Sequence, residues 1–170
     1  MNFDTLLIEP VVYPSSLRDG ELILTPTTLK ESEDYILKLA CKDRYNVTPK
    51  DQLARGLQYV KYVWIGKNSD GVGGVLFMCY LDHMNWWTLD AYKEDSVDNK
   101  QGDWSYRAGR LAIDWFFENH NVKELYTLHR TDNRAATKVC HMLGFEDKFL
   151  NPEFIILSIR RLKWELKQQS

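Results

Sequence analysis

Asn133 to Phe145 reads NRAATKVCHMLGF, and how this stretch starts and stops decides how the rest of the chain is read. Asn133 is a residue that caps helix N-termini, because its side-chain oxygen can accept an amide hydrogen that the first turn leaves unpaired. Ala136, Val139, Cys140 and Leu143 then recur at the spacing of one helix face, so the stretch predicts a short helix with a buried stripe. Gly144 suits the left-handed position that ends such a helix, and Phe145 returns the chain to the core.

Working back from this helix, Glu124–His129 (ELYTLH) reads as a strand that turns through Arg130-Thr131-Asp132. Before it, Ala108, Leu111, Ala112, Trp115 and Phe116 recur at helical spacing, widened by Tyr106, Ile113 and Phe117, and predict a helix over about 106–118. Lys93–Asp103 (KEDSVDNKQGD) is polar and without period, hence a loop. Three strands precede it: Tyr59–Ile65, Val72–Leu81 and Trp87–Tyr92, a meander with a hairpin at Asn68-Ser69-Asp70-Gly71. Further upstream, Thr28 stands three residues before Glu31, the spacing of a capping box, and opens a helix over 29–42. Thr48-Pro49 starts a second helix over about 49–58, and Glu21–Thr25 is a first strand. Glu153–Ile159 is a late strand, and Arg160–Ser170 a basic, then polar tail.

The predicted order is β-α-α-β-β-β-loop-α-β-α-β. The fold class is α/β (α+β), a central mixed and mostly antiparallel sheet flanked by helices, with one parallel crossover between 87 and 129. The 170 residues are expected to form a single domain, since no linker or repeat divides them. With 44% hydrophobic and 27% charged residues, the chain has the balance of a folded protein with a full core.

A formal charge of −2 argues against a broad nucleic-acid surface. The three cysteines, Cys41, Cys79 and Cys140, show neither a disulfide framework nor zinc spacing. The four histidines show no ligand spacing either, so no metal is expected. No segment reads as a membrane span, and a reduced, cytoplasmic setting fits. Gly71, Gly73 and Gly74 lack the lysine and hydroxyl residue of a phosphate-binding loop and read as turn and bulge.

This order, with NRAATKVCHMLGF closing it, resembles the GNAT family of N-acetyltransferases, and within it the branch that acetylates protein N-termini and aminoglycosides. The resemblance runs over roughly 20–160 and is concentrated in 72–145. It implies that the chain moves an acetyl group from acetyl-CoA to a primary amine of a small molecule or protein, in a ternary complex. The alternative is a catalytically inactive acetyltransferase-like domain that works through protein contact. A homodimer is compatible with either.

By the same resemblance, the backbone of Leu89, Asp90 and Ala91 would hold the pantetheine arm. The pyrophosphate would lie over Lys100, Gln101, Gly102 and Ser105, at the start of the 106–118 helix, with Arg107, Arg110 and Arg134 as further cations and Asn133 touching the arm or ordering splayed strands. The loop departs from the family pattern: Asp103 stands where the first glycine belongs, and in the other frame Trp104 and Tyr106 occupy small positions. Cys140 takes the place of the tyrosine that protonates the leaving thiolate, and reads either as that acid or as a small packing residue. Tyr106 and Tyr126 are the other candidates for the acid. Asp90 is the candidate base, with Glu94, His83 and Glu124 in reserve. Of Trp86 and Trp87, one is expected in the core and the other at the lip of an acceptor pocket. The basic, aromatic stretch Arg160–Trp164 would suit a local RNA contact.

Overall fold

The computed structural model describes residues 11–13, 21–46, 48–68, 71, 73–94 and 103–170, with residues 11–13 and Asp103 described by backbone alone. One eight-stranded sheet runs through it, in the order β1-β2-β3-β4-β5-β6-β8-β7. The strands are β1 (Val11–Tyr13), β2 (Leu22–Thr27), β3 (Val60–Lys67), β4 (Gly73–Leu81), β5 (Trp86–Lys93), β6 (Glu124–Arg130), β7 (Glu146–Leu150) and β8 (Phe154–Arg160). The helices are α1 (Leu29–Lys42), α2 (Lys50–Gly56), α3 (Asp103–Asn119), α4 (Arg134–Leu143) and α5 (Arg161–Gln168). All neighbouring strands are antiparallel except β5 and β6, so the expected mixed sheet with one parallel crossover is what forms.

Two of the caps read from the sequence form as expected; at α2 the expected Thr48 cap does not, since Pro49 is itself the N-cap residue and no side chain caps the helix. Thr28 Oγ1 accepts the Glu31 amide while the Glu31 carboxylate accepts the Thr28 amide, which completes the capping box of α1. Asn133 Oδ1 accepts the Ala136 amide at 3.2 Å, and Gly144 ends α4 at φ 104° with its amide donating to the Cys140 and His141 carbonyls. A β-carbon could adopt that φ only under strain.

The two faces of the sheet carry separate cores. Trp64, Met78, Trp87, Leu89 and Leu125 point towards α3 and α4, whose Trp104, Ala112, Phe116, Val139 and Leu143 cover them. On the opposite face Val63, Val75, Phe77 and Cys79 meet Ile36, Leu37 and Leu39 of α1. Strand alternation therefore assigns each β5 side chain to a side: Trp87 and Leu89 to the α3 side, Trp86, Thr88, Asp90 and Tyr92 to the α1 side.

Three elements depart from the sequence reading. β1 and β7 are additional strands, both paired along one strand only. The expected polar tail is helix α5 instead. Its Arg161 guanidinium donates to the carbonyls of Phe117, His120 and Val122, which cap the end of α3, and Trp164 Nε1 donates to Asp114 at 2.7 Å. Arg161 and Trp164 are thus engaged with groups of the protein itself. Of the glycines, Gly71 takes the expected turn conformation at φ 81° and Gly73 and Gly74 lie in the expected strand, but at regular ladder positions rather than in a bulge. A β-carbon on Gly74 would collide with the Tyr92 carbonyl oxygen and lie 2.7 Å from Lys93 Cα, so the position is small because the β5 backbone passes there, with the Trp104 ring next at 2.9 Å.

Candidate active site

The site is made by what β5 does on its two sides. Against β4 it pairs at eight positions, from Trp86 with Leu81 to Lys93 with Gly74. Against β6 it pairs at one, Thr88 with Tyr126. Beyond Thr88 the two parallel strands part, and the β6-facing backbone edge of Leu89 to Lys93 has no strand partner among the described residues. Leu89 is still buried, but Ala91, on the same face, is exposed. The strands open as a wedge towards the start of α3 and α4.

A backbone edge without strand partners is free to pair with a ligand that supplies them. That edge, the N-terminal end of α3 and the Asn133 cap together fit a narrow chain bearing amides at one end and phosphates at the other. Acetyl-CoA has that form. Lys100, Gln101 and Gly102 lie outside the described residues. Ser105 is half-buried in the first turn of α3, and Arg134 is exposed at the first turn of α4. Two of the expected cations are otherwise engaged: Arg107 is only 2% exposed and its Nη2 donates to Asn68 at 3.3 Å, while Arg110 pairs with Asp114. Trp104, which disturbed the loop pattern, is buried against Gly66 and Gly74 and so faces the sheet.

Asp90 lies where the wedge opens, two residues past Thr88. It is half-buried, and desolvation raises its carboxyl to about 6, against the hydrogen bond that Thr88 Oγ1 donates at 3.4 Å. Cys140 sits on α4, on the other side of the sheet. Burial, and then the charge of Asp90, push its thiol up to about 12. Cys79 on β4, paired in register with Thr88, is pushed up to about 12 in the same way, by burial and Asp90.

The reserve residues are placed less favourably. Glu94 accepts the Tyr35 hydroxyl at 2.6 Å. Glu124 feels a desolvation that raises it, yet hydrogen bonds from Ser158, Lys148 and Tyr126 hold it below its ordinary range. His83 is exposed in the β4–β5 turn. Tyr106 is half-buried on α3 and packs against the core on the Cys140 side.

Sequence reasoning missed two features of this region. Trp86 and Tyr126 stack across β5 and β6 with ring centroids 4.0 Å apart and planes 6° from parallel, at the closed end of the wedge. His129, on β6, shares a hydrogen bond of 2.8 Å with Thr137 of α4, and burial lowers its pKa. The alternation of ELYTLH places Tyr126 and His129 on opposite faces, but their partners depend on which strand lies beside β6.

No protein-family model matches the sequence, and no curated protein does. Solved structures, in contrast, share its fold. A spermidine N-acetyltransferase from Vibrio cholerae, in complex with CoA and spermine, matches with a TM-score of 0.64 at 12% identity, over 85% of this chain and 98% of that one. A GNAT-family acetyltransferase from Bacillus anthracis gives 0.62 at 7% identity, over 85% and 98%. A ribosomal L7/L12 alpha-N-protein acetyltransferase in complex with CoA gives 0.60 at 12% identity, over 88% and 98%. The chain has the fold of the GNAT acetyltransferases. Among the described residues, no helix is long and apolar enough to cross a membrane.

Proposed function

We propose that the protein transfers an acetyl group from acetyl-CoA to a primary amine. The observation that carries this reading is the parting of β5 and β6 after a single paired position, with Asp90 on β5 two residues past that position. The shared fold supports it, as do the matched structures in complex with CoA.

Bound acetyl-CoA would supply the activated acyl carbonyl, held along the unpaired edge of Leu89, Asp90 and Ala91. The remaining work falls to the chain. As the nitrogen–carbon bond forms and the carbon–sulfur bond breaks, Asp90 accepts the proton that the nitrogen sheds. With its carboxyl near 6, Asp90 is ionised at neutral pH, and it can return the proton through water to a departing thiolate of ordinary basicity, about 8.5. One proton leaves nitrogen and one arrives at sulfur, with no acyl-enzyme between them.

Cys140 is the poorer donor. A thiol pushed up to about 12 gives its proton to a weaker base only uphill, so Cys140 acts here as a neutral packing group beside the reacting sulfur. Tyr106 remains the alternative donor on that side.

Calorimetric titration with acetyl-CoA tests the reading: a micromolar dissociation constant at one site per chain is expected. Absence of binding at millimolar concentration would overturn it in favour of a fold that works by protein contact.

A further inference from the structure

The α1-side face of the sheet is not evenly covered. α1 packs over β3, β4 and the far end of β5, where Val63, Val75, Phe77 and Tyr92 lie in or against its core. The part built by Trp86, Tyr126, Leu128, Ile156 and Phe149 has no place in either core. Register joins these residues into one surface. Thr88, between Trp86 and Asp90 on β5, pairs with Tyr126; Leu128 pairs with Ile156, and Ile156 with Phe149. Leu128 is 50% exposed and Phe149 58%. An apolar strip thus starts at the stacked Trp86–Tyr126 pair and reaches the edge of the sheet, and Asp90 stands at its inner end.

The carboxylates on the β6 and β7 flank of the strip are already paired: Glu124 with Lys148 and Glu146 with Lys163. On the other flank, away from the strip, Asp43 accepts the Tyr45 amide and Glu94 the Tyr35 hydroxyl, hydrogen bonds that orient these carboxylates without supplying a counter-charge. A molecule laid from Asp90 along this strip meets one ionised carboxylate at its reacting nitrogen and then rings and aliphatic side chains. The step from Asp90 back to Thr88, beside which Tyr126 lies, is two residues of strand, about 7 Å.

Building on the acetyltransferase reading, we infer that Trp86, Tyr126 and Leu128 select the acceptor, and that the acceptor is a primary amine joined by a short linker to an aromatic or bulky apolar body. Trp86 is the lip residue of the Trp86-Trp87 pair, Trp87 being 3% exposed in the core. A polyamine would place its second ammonium over the Trp86–Tyr126 stack and Leu128, and the β6 and β7 carboxylates beside that strip, Glu124 and Glu146, are already paired with Lys148 and Lys163.

The test compares thiol release from acetyl-CoA with tryptamine and with spermidine as acceptors, alongside calorimetric acetyl-CoA affinity. The native protein is expected to favour tryptamine in kcat/KM by about tenfold or more. Trp86→Ala should lower tryptamine kcat/KM by about tenfold through KM, with Trp86→Phe recovering most of it, while acetyl-CoA affinity stays within about twofold. Leu128→Glu changes an exposed position, so folding is not at stake; it should shift the preference towards spermidine. Acetyl-CoA binding together with a native preference for spermidine, or equal losses on both amines in the variants, would overturn this inference and leave the acetyltransferase reading standing. Failure to bind acetyl-CoA would overturn both.

Discussion

β5 has two neighbours and treats them differently. β4 is joined to it by the short turn at Asp82–Asn85, where Asn85 takes a positive φ of 53° and its side-chain oxygen accepts the Tyr80 hydroxyl. From that turn the two strands pair without interruption. β6 arrives by a crossover through α3, and meets β5 at one position before diverging. The first pairing is local, complete and buried under helices on both faces; the second is non-local and leaves a backbone edge open inside the protein. The contrast separates what holds the molecule together from what it does. The closed side concentrates side chains whose loss costs stability, while the open side concentrates groups kept in unfavourable surroundings.

The closed side should yield the largest effect. Trp64, with no exposed surface, lies edge-on to Trp115 at 5.0 Å beneath α3. Trp64→Ala should cost about 3–5 kcal/mol in urea unfolding, through lost burial and the cavity left behind. Leu128→Ala, on the open side and half exposed, should change stability by about 0.5 kcal/mol or less. Similar losses for the two would break the comparison.

Asp90 sharpens it from the other direction. Its folded pKa, near 6, lies above the unfolded reference of about 3.9, so the folded state binds more protons between those values. Stability therefore falls as pH rises through that window and stays lower above it. Asp90→Asn removes this cost, and at pH 7 it should raise Tm by a few degrees. The same change should lower kcat/KM for the amine by about a hundredfold. On the enzyme side, native kcat/KM should rise with pH and level off above about 6, a shoulder that Asp90→Asn abolishes. A variant less stable than the native protein, or one that keeps its activity, would contradict the assignment.

How much of this was legible in the sequence follows the same division. Local signals were sufficient where contacts are local: Thr28 and Glu31 set the start of α1, Asn133 and Gly144 the two ends of α4, and alternation in WTLDAY the side on which Asp90 lies. β7 gave no signal because all five residues of EDKFL are exposed, and a strand at a sheet edge without a buried face has no period-two pattern. α5 buries only Trp164, too little for a helical stripe, and is fixed by Arg161 reaching carbonyls at the distant end of α3. The parting of β5 and β6 is a property of two strands and their crossover, so neither strand's sequence contains it. Leu89, Ala91 and Asn133 entered as site residues through the family resemblance alone, and the burial of Arg107 against Asn68, in the β3–β4 connection, is a long-range contact that its own helix does not announce.

Cys140 tests the finest form of the comparison, because it belongs by packing to the closed side and by electrostatics to the open one. It lies against the core formed by α3 and the sheet, yet the Asp90 charge helps to push its thiol up. If the thiol donated its proton during turnover, its removal would cost about two orders of magnitude, as loss of a general acid does. With burial pushing the thiol up to about 12, the carboxyl near 6 is the better source of that proton. Cys140→Ala should then leave kcat within about threefold of native, with acetyl-CoA affinity unchanged and only a small loss of stability from the missing sulfur. A hundredfold loss of kcat with cofactor binding and Tm intact would move the acid from Asp90 to Cys140, and place the final proton transfer on the α4 side of the sheet.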